Sequence, residues 1–179
     1  YNKFLAQENF SNKVINTISR DTDQILDLTE DPSKEGTWSR RGLVVGHVQS
    51  GKTANYTGLI CKAADAGYKL IIILAGMSND LRNQTQSRAD EGFVGIDTGE
   101  IGSSDSFTKL LKGVGRLDPD LLADPLTTSK QDFHRGFAQQ YKSLSNSNQP
   151  FFAVIKKNKF SFNNIISWLT SIAPSFNDI

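Results

Sequence analysis

The sequence predicts an α/β fold, a parallel sheet flanked by helices and organised around a phosphate-binding loop. Three stretches carry that expectation. Gly46-His47-Val48-Gln49-Ser50-Gly51-Lys52-Thr53 satisfies G-x-x-x-x-G-K-[ST], with a short apolar run before it and a helical pattern after it. Lys69 to Ala75, apolar from Leu70 onward, has the length and continuity of a strand covered on both faces. Phe151 to Ile155 repeats that pattern near the other end of the chain. Strand, helix and strand between Leu43 and Ala75 then compose a right-handed βαβ unit.

The chemistry of the loop accounts for its composition. A backbone that wraps an anion needs turns that a Cβ would obstruct, and Gly46 and Gly51 supply them. The N–H groups of residues 49–53 can then converge on phosphate oxygens at the positive end of the following helix. Lys52 is placed to meet the β- and γ-phosphates of a nucleoside triphosphate, and the Thr53 hydroxyl to ligate Mg²⁺. The predicted cofactor site is therefore Gly46, His47, Val48, Gln49, Ser50, Gly51, Lys52 and Thr53, with Lys52 and Thr53 as its catalytic pair.

In chain order, residues 1–40 read as a polar helical lead-in and 41–179 as the first part of the nucleotide-binding domain. Phe10, a Ser11 cap and Ile15 have the form of a hydrophobic staple, and Val14, Ile15 and Ile18 give an apolar face. Asp21 and Gln24 suit the start of a second short helix carrying Ile25, Leu26 and Leu28. Asp31-Pro32 and Glu35-Gly36 then break the pattern into a loop. Trp38 reads either as a core anchor beside the sheet or as a lid over a bound base, its large area favouring the anchor. Leu43-Val44-Val45 reads as a buried parallel strand. After the loop, Tyr56, Leu59, Ile60, Ala63 and Ala64 share one helical face, and Gly67 stands where a left-handed cap belongs.

Ser78 to Glu91 has helix length and a cap at Ser78 or Asn79, but it is unusually polar. Leu81 and Ala89 are its clear core candidates. A helical insertion is expected over about 98–149, with a short helix through Phe107, Leu110, Leu111 and Val114. A longer one follows through Phe133, Phe137, Tyr141 and Leu144, with Ser129 and Asp132 as its capping pair. The strand 151–155 runs into Lys156-Lys157-Asn158-Lys159. A last helix from a Ser161 cap places Phe162, Ile165, Ile166, Leu169 and Ile172 on one face.

Bulk composition limits the alternatives. With 179 residues, 37% of them hydrophobic and 22% charged, the chain can bury a core of ordinary globular kind. No apolar run reaches the ~20 residues of a membrane span, and no secretory signal is visible. The single cysteine, Cys61, excludes an intramolecular disulfide and reads as a packing residue, so a reducing cytoplasm is the expected compartment. A net charge of +1 leaves any nucleic-acid site to local patches. Both ends, Tyr1 and Ile179, read as cut from something longer.

Hydrolysis needs more than a cradle: an acid for Mg²⁺ at the end of another strand, a group that orients water, and an arginine finger. Phe93-Val94-Gly95-Ile96-Asp97 is the only apolar run ending in Asp, and its internal glycine makes it a poor strand. The Mg²⁺-binding acid is therefore expected beyond Ile179. His47 and His134 stand apart with no cysteine or carboxylate at metal-site spacing. Asn158-Lys159 lacks the Asp that would complete a guanine-reading motif, because Ser161 occupies that position.

Trp38 to Tyr56, containing the phosphate loop, strongly resembles the signature of the "Z-one" endonuclease-domain family, superfamily-two helicase-like ATPases of bacterial restriction and phage-defence systems. Leu74-Ala75-Gly76-Met77, running into Asp80-Leu81-Arg82-Asn83-Gln84-Thr85-Gln86, looks like that family's form of helicase motif Ia. Phe152 to Lys159 with the Ile166-Ser167-Trp168-Leu169 helix is similar to its next block. The resemblance covers most of residues 36–172 and is loosest over 93–130. It implies a RecA-like sheet, here an incomplete motor domain, with ATP and Mg²⁺ as cofactors and DNA and other defence-system subunits as partners. It further implies that an Asp-Glu Mg²⁺ motif follows the chain, and that Arg82, Asn83, Gln86 and Arg88 contact a nucleic-acid backbone. Lys156, Lys157 and Lys159 would extend that track. A nucleotide switch or phosphotransferase without DNA contact is the alternative reading.

Overall fold

The computed structural model describes residues 1–46, 51–101, 110–134, 136 and 147–172. The chain packs as two compact units, residues 1–68 and 69–179.

In the first unit, α1 (Asn2–Gln7), α2 (Asn12–Leu26) and α3 (Lys52–Asp65) are the helices. Ser11 caps α2 as its position predicts, its Oγ accepting from Val14 N at 3.4 Å. No break occurs at Asp21: nothing between Ser11 and Leu26 interrupts the backbone ladder, so one long helix replaces the expected pair. Leu5, Ile15, Ile18 and Ala54 form the core, while Val14 turns outward. α2 and α3 approach closely at Gly58, where an added Cβ would stand 3.4 Å from Ile18 and 3.5 Å from Thr22. Thr22 is fully buried there, its hydroxyl donating to the Ile18 carbonyl at 2.7 Å. The Lys62 ammonium ties α3 to α2 through the Ser19 carbonyl at 2.6 Å and the Asp23 carboxylate.

Gly67 takes φ +102°, the left-handed conformation its place after α3 predicts. The Tyr68 hydroxyl then donates to the Glu30 carbonyl at 2.6 Å, and Trp38 meets the Tyr68 ring edge-on at 6.0 Å. Trp38 is thus a half-exposed partner of Tyr68 within this unit.

Leu43–Val45 is a correction. The run forms no strand, and Leu43 and Val45 are 87% and 85% exposed. An apolar triplet states a preference for burial; strand formation also needs a neighbouring strand, and the regular elements among the described residues of this unit are all helices.

The second unit holds a three-stranded parallel sheet in the order β1 (Leu70–Ala75), β3 (Phe151–Lys156), β2 (Asp124–Pro125). In register, Leu70 faces Phe151 and Ala75 faces Lys156, while Asp124 faces Phe151 on the other side. β3 is central, and Phe151 through Ile155 are completely buried, as a continuous apolar run requires. β1 pairs only with β3 among the described residues, and most of its side chains are half-buried, less covered than its sequence suggests.

On one face Phe151, Ala153 and Ile155 pack with Leu126, Phe133 and three residues of α6 (Lys159–Ile172), Ile165, Trp168 and Ile172. The cap of α6 is Asn158, whose Oδ1 accepts from Ser161 N at 2.9 Å. Ser161, expected as the cap, is instead buried one turn in, and Trp168 takes the core place expected of the exposed Ile166.

On the other face lies α4 (Asn79–Ala89), capped by Ser78 through a 3.2 Å bond from Leu81 N. α4 runs directly into a π-helical turn, Asp90–Val94, which ends at left-handed Gly95. Phe93 of this turn meets Phe152 edge-on at 5.3 Å. The loop before the short helix α5 (Val114–Leu117) presses its backbone against the turn. A Cβ at Gly113 would collide with the Glu91 carbonyl, and one at Gly115 with the Gly95 carbonyl.

The strand-like reading of 93–97 therefore gives way to a π-turn and an isolated antiparallel bridge between Ile96 and Leu111. Described residues 131–134 are not helical, and residues 102–109 and 137–146, where the inserted helices were expected, lie outside the described residues.

Gly115→Ala should lower stability by about 2–3 kcal/mol, the cost of forcing a methyl against backbone. Gly42→Ala, where a Cβ meets nothing, should stay within about 0.5 kcal/mol. Urea denaturation of both variants checks the contrast, and equal effects would refute the close approach.

Candidate functional site

The described ends of the Gly46–Thr53 motif meet at the start of α3. Gly51 is the N-cap, with φ 76° and ψ 20°, and an added Cβ there would touch nothing within 4 Å. Glycine is needed at this point for its backbone conformation rather than for space. Lys52 is the first helical residue, and its ammonium reaches back to donate to the Gly46 carbonyl at 2.9 Å. Backbone turn and side chain together close the two ends of the motif on each other at the N-terminus of a 14-residue helix, where peptide dipoles favour an anion. Thr53 follows in the first turn, half-buried. His47, Val48, Gln49 and Ser50 lie outside the described residues.

Beside this closure lies a pocket of about 750 Å³ within the first unit. Gly46 and Lys52 line it from the loop, Asn55 and Tyr56 from α3, and Asp21 and Gln24 from α2. Leu43, Val44 and Val45 give it an apolar wall. The exposed triplet thus borders the pocket.

For Mg²⁺, Thr53 offers a single hydroxyl oxygen, and no cluster of three His, Cys, Asp or Glu suited to a metal occurs among the described residues. Asp97 serves locally: its Oδ1 accepts from Gly99 N at 3.0 Å, and its other oxygen lies 4.0 Å from Lys112 Nζ. Cys61 is half-buried, and burial pushes its thiol up to about 12, away from nucleophilic use. His134 is exposed, its Nδ1 accepting from Gly136 N at 3.2 Å.

The seven residues expected along a nucleic-acid track separate sharply. Arg82 and Gln86 are 1% and 0% exposed, which corrects the expectation that they present a phosphate-binding face. The Arg82 guanidinium donates to the carbonyls of Thr128 at 2.7 Å, Gln131 at 3.0 Å and Val154 at 3.4 Å, and to Asn83 Oδ1. Burial pulls its basicity down, while Asp132 and Asp90 pull it back up. Asn83 is half-buried, engaged by Arg82. Lys156 donates to Asn79 Oδ1 at 2.8 Å and lies 3.9 Å from Asp132. Arg88, Lys157 and Lys159 are the exposed members. The physical reason is rotation: α4 turns its polar stripe inward and leaves Leu81 53% exposed.

That stripe belongs to a buried polar network. Gln86 Nε2 donates to Asp90 Oδ1 at 2.9 Å, and Gln86 Oε1 accepts from Thr127 Oγ1 at 2.7 Å. Asp90 Oδ2 accepts from Thr98 N at 3.1 Å and Thr98 Oγ1 at 2.7 Å. Asp132 accepts from Phe133 N at 2.8 Å and Ser161 Oγ at 2.8 Å, joining the same loop to α6. Burial drives the Asp90 carboxyl up to about 6, against the opposing pull of its hydrogen bonds and of Lys112. One sequence signal could have found it: Arg82, Gln86, Ala89 and Asp90 recur at i, i+4, i+7 and i+8, one helical face.

Compared with family models, curated proteins and solved structures, the chain matches none.

Arg82→Ala should cost roughly 3 kcal/mol or more, because carbonyls that lose a buried donor cost ~1–3 kcal/mol each. Arg88→Ala, on the exposed side of α4, should cost no more than about 1 kcal/mol. Equal effects on urea denaturation would return Arg82 to the surface role that its sequence position suggests.

Proposed function

We propose that this chain is the nucleotide-binding part of an ATP-driven, helicase-like motor acting on DNA in bacterial restriction or anti-phage defence. The observation that carries the reading is the closure of the phosphate motif: left-handed Gly51 at the head of α3, with the Lys52 ammonium spanning to the Gly46 carbonyl. A phosphate oxygen is a stronger acceptor than a neutral carbonyl, so an arriving triphosphate would exchange places with Gly46 at the ammonium. The adjoining pocket, bordered by Gly46, Lys52, Asn55 and Tyr56, has the volume for a nucleoside.

In this reading the 46–53 backbone and Lys52 hold the phosphates, and the Thr53 hydroxyl is the protein's oxygen for Mg²⁺. The ion, when bound, offsets charge on the β- and γ-phosphates. Resemblance to the "Z-one" family supports the DNA and defence parts of the proposal, with Arg88, Lys157 and Lys159 as the exposed cations that could meet a backbone. The inward turn of Arg82 and Gln86 favours the second reading, a nucleotide switch or phosphotransferase that never touches DNA.

Calorimetric titration with Mg-ATP should show binding that weakens at least about tenfold in Lys52→Ala, a loss of ~1.4 kcal/mol. Unchanged affinity in the variant would end the nucleotide reading. Removing the charges of Arg88, Lys157 and Lys159 together should weaken single-stranded DNA binding and flatten its salt dependence by up to about three counterions. If neither changes, the switch reading replaces the motor.

A further inference from the structure

α2 and α3 run side by side in the same direction. Ala54 shares a core with Ile15 and Ile18, Gly58 lies against Ile18 and Thr22, and Lys62 reaches Ser19 and Asp23. Later residues of one helix thus meet later residues of the other, and their N-terminal ends point the same way. The positive ends of two helix dipoles add on that side. Neither first turn carries an acidic residue to offset them. Instead α2 places Lys13 in its first turn, and α3 opens with Lys52. A cation is disfavoured at that end of a helix, so neither lysine serves the stability of its own helix.

The head of α3 divides two pockets. Lys52 lines the larger one with Gly46, and Gly51 lines a smaller one of about 320 Å³ together with Lys13 and Thr17 of α2. Asp21 and Asn55 border both, so the two spaces adjoin. The Thr17 hydroxyl donates to the Lys13 carbonyl at 2.9 Å, while the Lys13 ammonium takes no partner among the described residues. Asp21 is the carboxylate at this border, and its Oδ1 meets the Arg20 guanidinium at 3.2 Å.

Building on the nucleotide reading above, we propose that Lys13 is a second phosphate-binding residue of this site. It holds the terminal phosphate of a nucleoside triphosphate from the side of Gly51, while Lys52 holds the phosphate chain from the other. The larger pocket is apolar at its far end, where Leu28 and Leu59 stand. Leu59 lies seven residues past Lys52, about 10 Å along the helix axis. A base seated there directs its phosphates toward the head of α3, and the last of them reaches the border of the smaller pocket. At that border an anion meets the opening N–H groups of α3, the summed dipoles and two ammonium groups. The substrate class this favours is a triphosphate over a diphosphate, because the third phosphate supplies the charge that Lys13 meets. Lys13 is exposed, so solvent and salt screen its contribution.

The test is calorimetric titration of the natural chain, Lys13→Met and Lys13→Arg with Mg-ATP and with Mg-ADP. Lys13→Met should weaken Mg-ATP binding about fivefold and Mg-ADP binding less than about twofold, and Lys13→Arg should restore the natural preference. The melting temperature of Lys13→Met should match or exceed that of the natural chain, since the change removes a cation from the positive end of α2. Should Lys13→Met not fold, Lys13→Gln removes the same charge and makes the same comparison. If the natural chain binds neither nucleotide, or Lys52→Ala leaves binding unchanged, the nucleotide reading falls and Lys13 falls with it. If Lys52→Ala weakens binding but Lys13→Met keeps the natural affinity for Mg-ATP, or loses Mg-ATP and Mg-ADP equally, the assignment of Lys13 alone is overturned.

Discussion

Burial of α4 against β3 sets a condition that much of the second unit answers. An arginine, a glutamine and an aspartate enter a space where an unpaired polar atom is costly, so each must find partners inside. Those partners are the Thr128 and Gln131 carbonyls, the Thr98 and Thr127 hydroxyls, and the Val154 carbonyl of β3. Segments without regular structure are thereby fixed in place, because their carbonyls and hydroxyls satisfy the buried side chains of the helix. Gly113 and Gly115 belong to the same arrangement. They let backbone approach the π-turn that Asp90 opens, where any side chain would hold it off.

The head of α3 is governed by a different constraint, the backbone conformation that starts a helix. Gly51 adopts a left-handed geometry that costs other residues ~1–2 kcal/mol. Because α3 begins immediately afterwards, Lys52 and Thr53 enter its first turn with side chains directed by the helix. The bond from Lys52 to Gly46 follows from that placement. Gly51 and the first turn of α3 need few long-range contacts to take this conformation, which follows from the residue types at the helix head.

Legibility divides along the same line between local and non-local causes. Ser11 and Ser78 caps, the left-handed Gly67, the α3 helix, and the strands beginning at Leu70 and Phe151 all express short-range preferences, and the sequence announces them. Val14, Leu81 and Ile166 sit where the pattern predicts a core and turn outward, because periodicity fixes spacing but not which stripe faces the interior. Leu43–Val45 fails similarly: its composition is strand-like, and its pairing depends on a neighbour the local sequence does not supply.

What the sequence by itself determined is the α/β character, the helix after Gly51, the strands beginning at Leu70 and Phe151, and a left-handed glycine at a helix head. These rest on interactions within a few residues, which residue type and spacing encode directly. Only the tertiary structure decided that Arg82 and Gln86 serve the interior, that α4 runs on into a π-turn over 90–94, and that Asp90 gathers two hydrogen-bond chains. A charged side chain costs so much to bury that solvent is its default reading. That default reverses when a fold brings carbonyls from distant segments within reach of the guanidinium.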